Sequence, residues 1–336
     1  MKLTDIRQQL DNFVERRIVP GISYATILNG EVETKVFGKA QLVPESEPLK
    51  YGMQYDVASL TKVVGTTNVI LKLIEAKKLN LDDSIQQYIP QFNNQRVTIR
   101  HLLTHTSAIS GYIPHRNELP PKQLLDALDN LPVADWFDQK VVYTDVGLIM
   151  LGQIIEKIYQ QPVQKVIQNE ILTPLNLLES TFNPIKENAV PTEISPNRGL
   201  IRGEVHDPKA FILREHCGSA GLFMTLNDLL KFAQWILYPH GKLVVSDQMI
   251  DSLFQDWTTH HLGRSLGWDL KIAQNGEKWI YHTGFTGTFI LLNRKYKSGL
   301  ILLTNRIHPS ADNQPFLDLR DEIVEQFINN DCVYKS

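Results

Sequence analysis

Cysteine is almost missing from this chain: its 336 residues contain two, Cys217 and Cys332. They lie far apart and form no CxxC clasp, which excludes a disulfide framework and a cysteine-based zinc site. No window approaches the roughly 18 uninterrupted apolar residues that a spanning helix needs, so no membrane segment is expected. An excess of one charge is lacking too, since 34 Lys and Arg stand against 37 Asp and Glu, a net charge of −3. Without a basic face, nucleic acid is not an expected partner. The start, Met1-Lys2-Leu3-Thr4-Asp5-Ile6-Arg7, puts charges where a signal peptide carries its apolar stretch, so the expected location is the cytoplasm. Internal repeats, low-complexity tracts and Gly/Ser linkers are also missing.

What is present is a globular composition, 43% apolar and 21% charged, long enough to bury a sizeable core without a metal or disulfide staple. Leu3, Ile6, Leu10, Phe13 and Val14 recur at helical spacing and predict an amphipathic helix over 3–17, stopped before Pro20. Residues 22–28 and 32–37 flank Asn29-Gly30, a pair suited to a tight hairpin turn. From Ser59 to about Leu230 helical periods dominate, broken by proline loops. Strands return over 278–282, 288–293 and 300–304, and a helix with Phe316, Ile323, Val324, Phe327 and Ile328 follows.

Strands at both ends with helices between predict an α+β fold. One unit over 1–336 would contain an α/β lobe from 1–58 plus 231–336, with its antiparallel sheet flanked by terminal helices. A mostly helical lobe, 59–230, would be inserted, and the active site would lie between the two.

Three segments could carry chemistry. In Asp56-Val57-Ala58-Ser59-Leu60-Thr61-Lys62 the following apolar residues place Ser59 in the first turn of a buried helix, with Lys62 one turn along on the same face. A lysine so placed can activate a serine hydroxyl, although S-x-x-K taken alone reads first as a capping serine and a solvated lysine, and its context must decide. Tyr143-Thr144-Asp145 precedes a helix that Thr144 or Asp145 would cap, which leaves Tyr143 as plain core or as a phenol that shuttles a proton at a cleft. Tyr281-His282-Thr283-Gly284-Phe285-Thr286-Gly287 lies in the strand-rich end, where two glycines permit close backbone approach.

Taken in order, SLTK, YTD and HTG resemble the serine β-lactamase and penicillin-binding-protein superfamily, in the branch of class C β-lactamases, D-Ala-D-Ala carboxypeptidases and related esterases. The segment from His101 to Ser107 is similar to that branch's HLLTHTSG, Gly203 to Asp207 and Gly218 to Phe223 to its VHD and AGLFST stretches, and Leu302 to Pro309 to its LLTNRVHP. The likeness runs from roughly residue 8 to residue 330.

The resemblance implies a β-lactamase/transpeptidase-like fold and a serine hydrolase working through an acyl-enzyme on a small ester, amide or D-amino-acid peptide, with no cofactor and no metal. Ser59 would be the nucleophile, Lys62 its base partner and Tyr143 the proton relay. His282, Thr283 and Gly284 would line the substrate strand, beside Asp145, and the backbone N–H groups of Ser59 and Phe285 would form the oxyanion hole. The alternative is a penicillin-binding sensor or binding module that acylates with little turnover. The oligomeric state is left open.

Two positions depart from the family's pattern. Asp145 stands where the β-lactamases have Asn, and its carboxylate would favour the Lys62 ammonium and weaken it as a base. His282 stands where they have Lys, which would make carboxylate anchoring depend on pH near the imidazole pKa. His101 and His105 have a spacing that would put two imidazoles on one helix face, and a structural role is expected for them. Cys217 is expected to be a buried bystander. Segments 111–136 and 183–214 are expected to roof the cleft.

Overall fold

The structure, a computed structural model, describes residues 3–334, so residues 1–2 and 335–336 of the expected unit lie outside the described residues. Asn29 and Gly30 take φ values of 49° and 92°. That left-handed pair matches the right-handed twist of the strands it joins, and Gly21–Leu28 pairs with Glu31–Gln41 from Gly21 opposite Gly38 to Leu28 opposite Glu31. The other edge of Gly21–Leu28 takes Ser298–Thr304, so early and late parts of the chain meet in mid-sheet. Across the antiparallel sheet the order is Glu47–Pro48, Glu31–Gln41, Gly21–Leu28, Ser298–Thr304, Thr288–Asn293, Lys278–Gly284 and Asp269–Ile272.

Both faces of this sheet are covered, which is why its central strands read as unbroken apolar runs. Tyr24, Trp279, Phe289 and Leu302 pack against Leu10 and Phe13 of the helix Leu3–Glu15 and Phe316 and Phe327 of the helix Gln314–Ile328. Ile27, Ile290 and Ile301 belong to the core on the opposite face, which includes Phe232 and Ile236 of the helix Leu226–Leu237. Burying each such side chain contributes about 2 kcal/mol.

The α+β architecture expected from the sequence is present, with some shifts. The first helix stops at Glu15, and Arg17 turns the chain with φ 56°. The edge strand Asp269–Ile272 has too polar a pattern to be read as a strand beforehand. The helix Leu226–Leu237 straddles the 230/231 boundary and packs on the sheet. Within 111–136 and 183–214, Leu124 and Leu128 pack with Ala210 and Leu213 around the buried Cys217. Among the described residues, no helix is long and apolar enough to cross a membrane.

Candidate active site

Ser59 stands at the start of a buried helical run over 60–75, as expected, but the first turn is tight. Leu60, Thr61 and Lys62 each donate their N–H three residues back, to the carbonyls of Val57, Ala58 and Ser59. In such a 3₁₀ turn side chains at i and i+3 eclipse, and Lys62 Nζ comes within 2.7 Å of Ser59 Oγ. A π-turn, Lys62–Thr66, follows before the α-helix Thr67–Glu75. Ala58 is held at φ 47°, a costly angle for a residue with a Cβ. Its N–H donates to Asp56 Oδ1 at 2.9 Å, while Asp56 Oδ2 accepts from the His206 N–H at 2.7 Å. Asp56 thereby ties the serine turn to the His206 segment, a role its place in the motif did not reveal. Ser59 itself is partly exposed between buried neighbours.

Lys62 is 1% exposed, and its ammonium spends its donors on Ser59 Oγ, the Ser219 carbonyl at 2.8 Å and Asp145 Oδ1 at 2.7 Å. Burial opposes this charge, but Tyr143 and Asp145 outweigh it and hold the lysine above its ordinary range. Asp145 occupies the N-cap position of Val146–Tyr159, yet its carboxylate makes no cap; Thr144 Oγ1 accepts from the Val146 N–H instead. Its second oxygen meets Lys209 Nζ at 3.0 Å, and Lys209 also meets Asp207 at 2.9 Å. The result is an alternating chain of charges, Lys62, Asp145, Lys209, Asp207. Burial opposes the Asp145 charge as well, but Lys62 and Lys209 keep its carboxyl below the usual carboxylate range. Lys209 carries no motif signal; a lysine two residues after Asp207 reads as a surface residue.

Tyr143 is 46% exposed and is surrounded by nitrogen-bearing groups. Its ring lies 4.6 Å from the His105 ring and 5.9 Å from the His282 ring, with the Arg264 guanidinium carbon 5.8 Å and Lys62 Nζ 5.4 Å from the ring centre. His282 corrects an expectation. Burial, followed by the positive charges of Arg264 and Lys62, drives its imidazole well below the ordinary value. It is therefore neutral across the physiological range, and anchoring by His282 does not titrate near the usual imidazole pKa. Nδ1 faces the Thr283 carbonyl at 2.9 Å, which can only accept, so Nδ1 carries the hydrogen and Nε2 holds a lone pair.

His105 is neutral for the same reason: burial, then Arg264, His282 and Lys62, lower it strongly. Its Nδ1 accepts from the Thr144 N–H at 3.3 Å, so its hydrogen is on Nε2. His101 and His105 do not share a helix face, because Ile99–Leu103 ends before His105, which sits at φ 55°. His101 instead closes a capping box with Thr98, its Nδ1 accepting from the Thr98 N–H at 3.1 Å. Among the described residues, no group of three or more His, Cys, Asp and Glu is placed to hold a metal ion.

The strand Lys278–Gly284 brings the third motif to this cleft. Its pairing with Asp269–Ile272 ends at Tyr281, so His282, Thr283, Gly284 and Phe285 run on with an open outer edge. Thr286 Oγ1 donates to the Asp56 carbonyl at 2.7 Å and Thr288 Oγ1 to that of Val57 at 3.2 Å, which locks the strand to the serine turn. Gly284 is required here, since a Cβ would strike the Val57 carbonyl oxygen. The N–H groups of Ser59 and Phe285 have no acceptor among the described residues. Arg306 fixes the next peptide by donating from Nε to the Phe285 carbonyl at 2.9 Å.

The Beta-lactamase family model matches residues 6–324. The chain belongs to this family. It is 25% identical to an N-acetylmuramyl-L-alanine amidase of Bacillus subtilis, over 90% of this chain and 81% of that protein. It is 27% identical to a putative D-alanyl-D-alanine carboxypeptidase of Escherichia coli K12, over 91% of this chain and 84% of that one. A solved class C β-lactamase superposes with a TM-score of 0.76 at 19% identity, covering 97% of this chain and 95% of its own. The chain has the β-lactamase/transpeptidase fold and is an enzyme of this superfamily, with relatives named amidase and carboxypeptidase.

Proposed function

We propose that this β-lactamase-family chain is a serine hydrolase that forms and hydrolyses an acyl-enzyme on a small ester, amide or D-amino-acid peptide. The observation that carries the reading is the 2.7 Å contact from Lys62 Nζ to Ser59 Oγ, at a strained turn beside the open strand edge. Relatives named amidase and carboxypeptidase support amide and peptide substrates.

Ser59 Oγ attacks the substrate carbonyl carbon, and the charge on its oxygen is met by the N–H groups of Ser59 and Phe285. Such a donor contributes about 3 kcal/mol in the transition state. Lys62 acts as an ammonium that holds Oγ and stabilises the charge gathering on it. The seryl proton passes to the Tyr143 oxygen while the phenolic proton goes to the leaving group, so no net charge is created on the relay. Water then returns along the same path to release the acid and restore Ser59.

Turnover of p-nitrophenyl esters, nitrocefin and D-Ala-D-Ala peptides by wild type and Ser59→Ala tests this reading. Ser59→Ala should lower kcat at least about 1,000-fold on whichever substrate is turned over; an unchanged rate would sink the proposal. A second reading, a sensor that acylates with little turnover, is favoured by the charge that Asp145 maintains on Lys62. A penicillin or fluorophosphonate adduct on Ser59 that persists for hours by intact mass, on a chain that turns over none of the panel, would establish it.

A further inference from the structure

Among the described residues, the buried lysines and arginines are Lys62, Lys209, Arg264 and Arg306. A buried charge without a counter-charge is costly, and the first three face a carboxylate oxygen, at 2.7 Å for Lys62, 2.9 Å for Lys209 and 3.9 Å for Arg264. Arg306 is 5% exposed and, among the described residues, pairs with no carboxylate. Its Nε and Nη1 donate to neutral carbonyls, those of Phe285 at 2.9 Å and Ala311 at 3.5 Å, while Nη2 has no acceptor among the described residues. The rings of Phe285 and Phe316 lie 5.0 and 5.9 Å from its guanidinium carbon. Burial and the Arg320 cation both weigh against the charge.

Arg306 lines a groove of about 760 Å³ that lies apart from the active cleft, since none of Ser59, Lys62, Tyr143 and His282 reaches it. Hollows of this size hold small molecules. Its walls come from the end of the first helix, the end of the strand Glu31–Gln41 and the stretch between Ser298–Thr304 and Gln314–Ile328. Side chains tie these walls together. Asn313 Nδ2 donates to the carbonyls of Ile18 at 2.7 Å and Arg306 at 3.1 Å. His308 Nδ1 donates to the Thr192 carbonyl at 2.8 Å, and its Nε2 accepts from the Leu42 N–H at 2.9 Å. With one ring nitrogen donating and the other accepting, His308 is neutral and brings no charge to the groove.

The lining has two chemistries. Val14, Ile18, Val19, Leu42 and Pro309 are apolar, whereas Arg16, Arg17 and Lys39 add exposed cations that make no ion pair among the described residues. Asp312, the one carboxylate of the lining, is exposed and pairs with none of them. A positive excess around an apolar hollow suits a single anionic head on an apolar body, and one unused guanidinium nitrogen suits a singly charged head.

We infer that this groove is a second ligand site, which binds a small free carboxylate with an apolar body and sets its head against Arg306. The site is separate from the hydrolase chemistry and stands or falls without it.

Calorimetric titration with octanoate and with 1-octanol, its neutral counterpart, tests the inference. Wild type should bind one octanoate and bind octanol at least about 10-fold more weakly, and Arg306→Met should weaken octanoate roughly 10- to 100-fold, as expected when a hydrogen bond to a charged group is lost. Because Arg306 is buried, the double variant Arg17→Glu/Lys39→Glu, at exposed positions, carries the test where Arg306→Met does not fold; it should weaken octanoate at least about 3-fold. Ser59→Ala should bind octanoate as wild type does. No binding by wild type, equal binding of octanol, or an affinity that the double variant or a folded Arg306→Met leaves unchanged would overturn the inference. So would binding to phosphatidylglycerol vesicles without binding of free octanoate, which would make the groove a membrane contact.

Discussion

At the residue scale the largest surprise is the partnership around Asp145. A carboxylate in place of a neutral amide would burden Lys62 if it stood alone, but Lys209 shares it and Asp207 in turn shares Lys209. Lys209→Met leaves Asp145 with Lys62 as its cation and removes the cation that pairs with Asp207. It should cost about 2 kcal/mol in urea unfolding. Asp145→Asn combined with Lys209→Met should recover at least about 1 kcal/mol of the summed single losses, because the two residues are in direct contact. Strict additivity would mean that the contact carries no coupling.

Single residues also mark where local reading stops. Ser59, Lys62, Tyr143 and His282 were legible because each sits in a short motif at a characteristic spacing. Lys209 and Arg264 sit in segments without such spacing, and only their burial shows that they are not solvated surface cations.

Among the elements, the serine turn and the strand Lys278–Gly284 form one device. The turn holds Ser59 by a strained Ala58, and the strand is fastened to it through Thr286 and Thr288. Gly284→Ala would push a methyl into the Val57 carbonyl and part the two. Since displacements near 1 Å can cost about 100-fold in rate, kcat/KM should fall by about that factor while the melting temperature moves only a few degrees. A variant that melts early but keeps its rate would show that this seam serves stability alone.

The hairpin at Asn29-Gly30 and the apolar strands were readable in advance because turn chemistry and burial act within a few residues. The 3₁₀ and π-turns around Lys62 were not, because the same apolar spacing fits a regular helix. Docking against the strand sets the actual geometry.

For the whole molecule, burial of ionisable groups makes stability depend on pH. His105 and His282 are held neutral in the folded state with their pKa values depressed. Below about pH 6.5 the unfolded imidazoles bind protons that the folded ones refuse, so stability declines by about 1.4 kcal/mol per pH unit for each histidine. The decline continues until the folded pKa is reached. His282→Gln should therefore reduce the slope of unfolding free energy between pH 6 and 5 by about one proton, measured by denaturant titration at each pH. An identical slope in wild type and variant would mean that His282 is not buried neutral.

The sequence by itself determined the order of the motifs, the hairpin, the two-sided sheet made from both ends of the chain, and the pairing of Ser59 with Lys62. These depend on backbone preferences and apolar period, which act over one or two turns. Only the tertiary structure decided which charges are paired and which are not. It joined Lys209 to Asp145, kept His282 neutral and left the Arg264 guanidinium open beside Tyr143, because desolvation and Coulomb energy depend on what distant segments bring within a few ångströms.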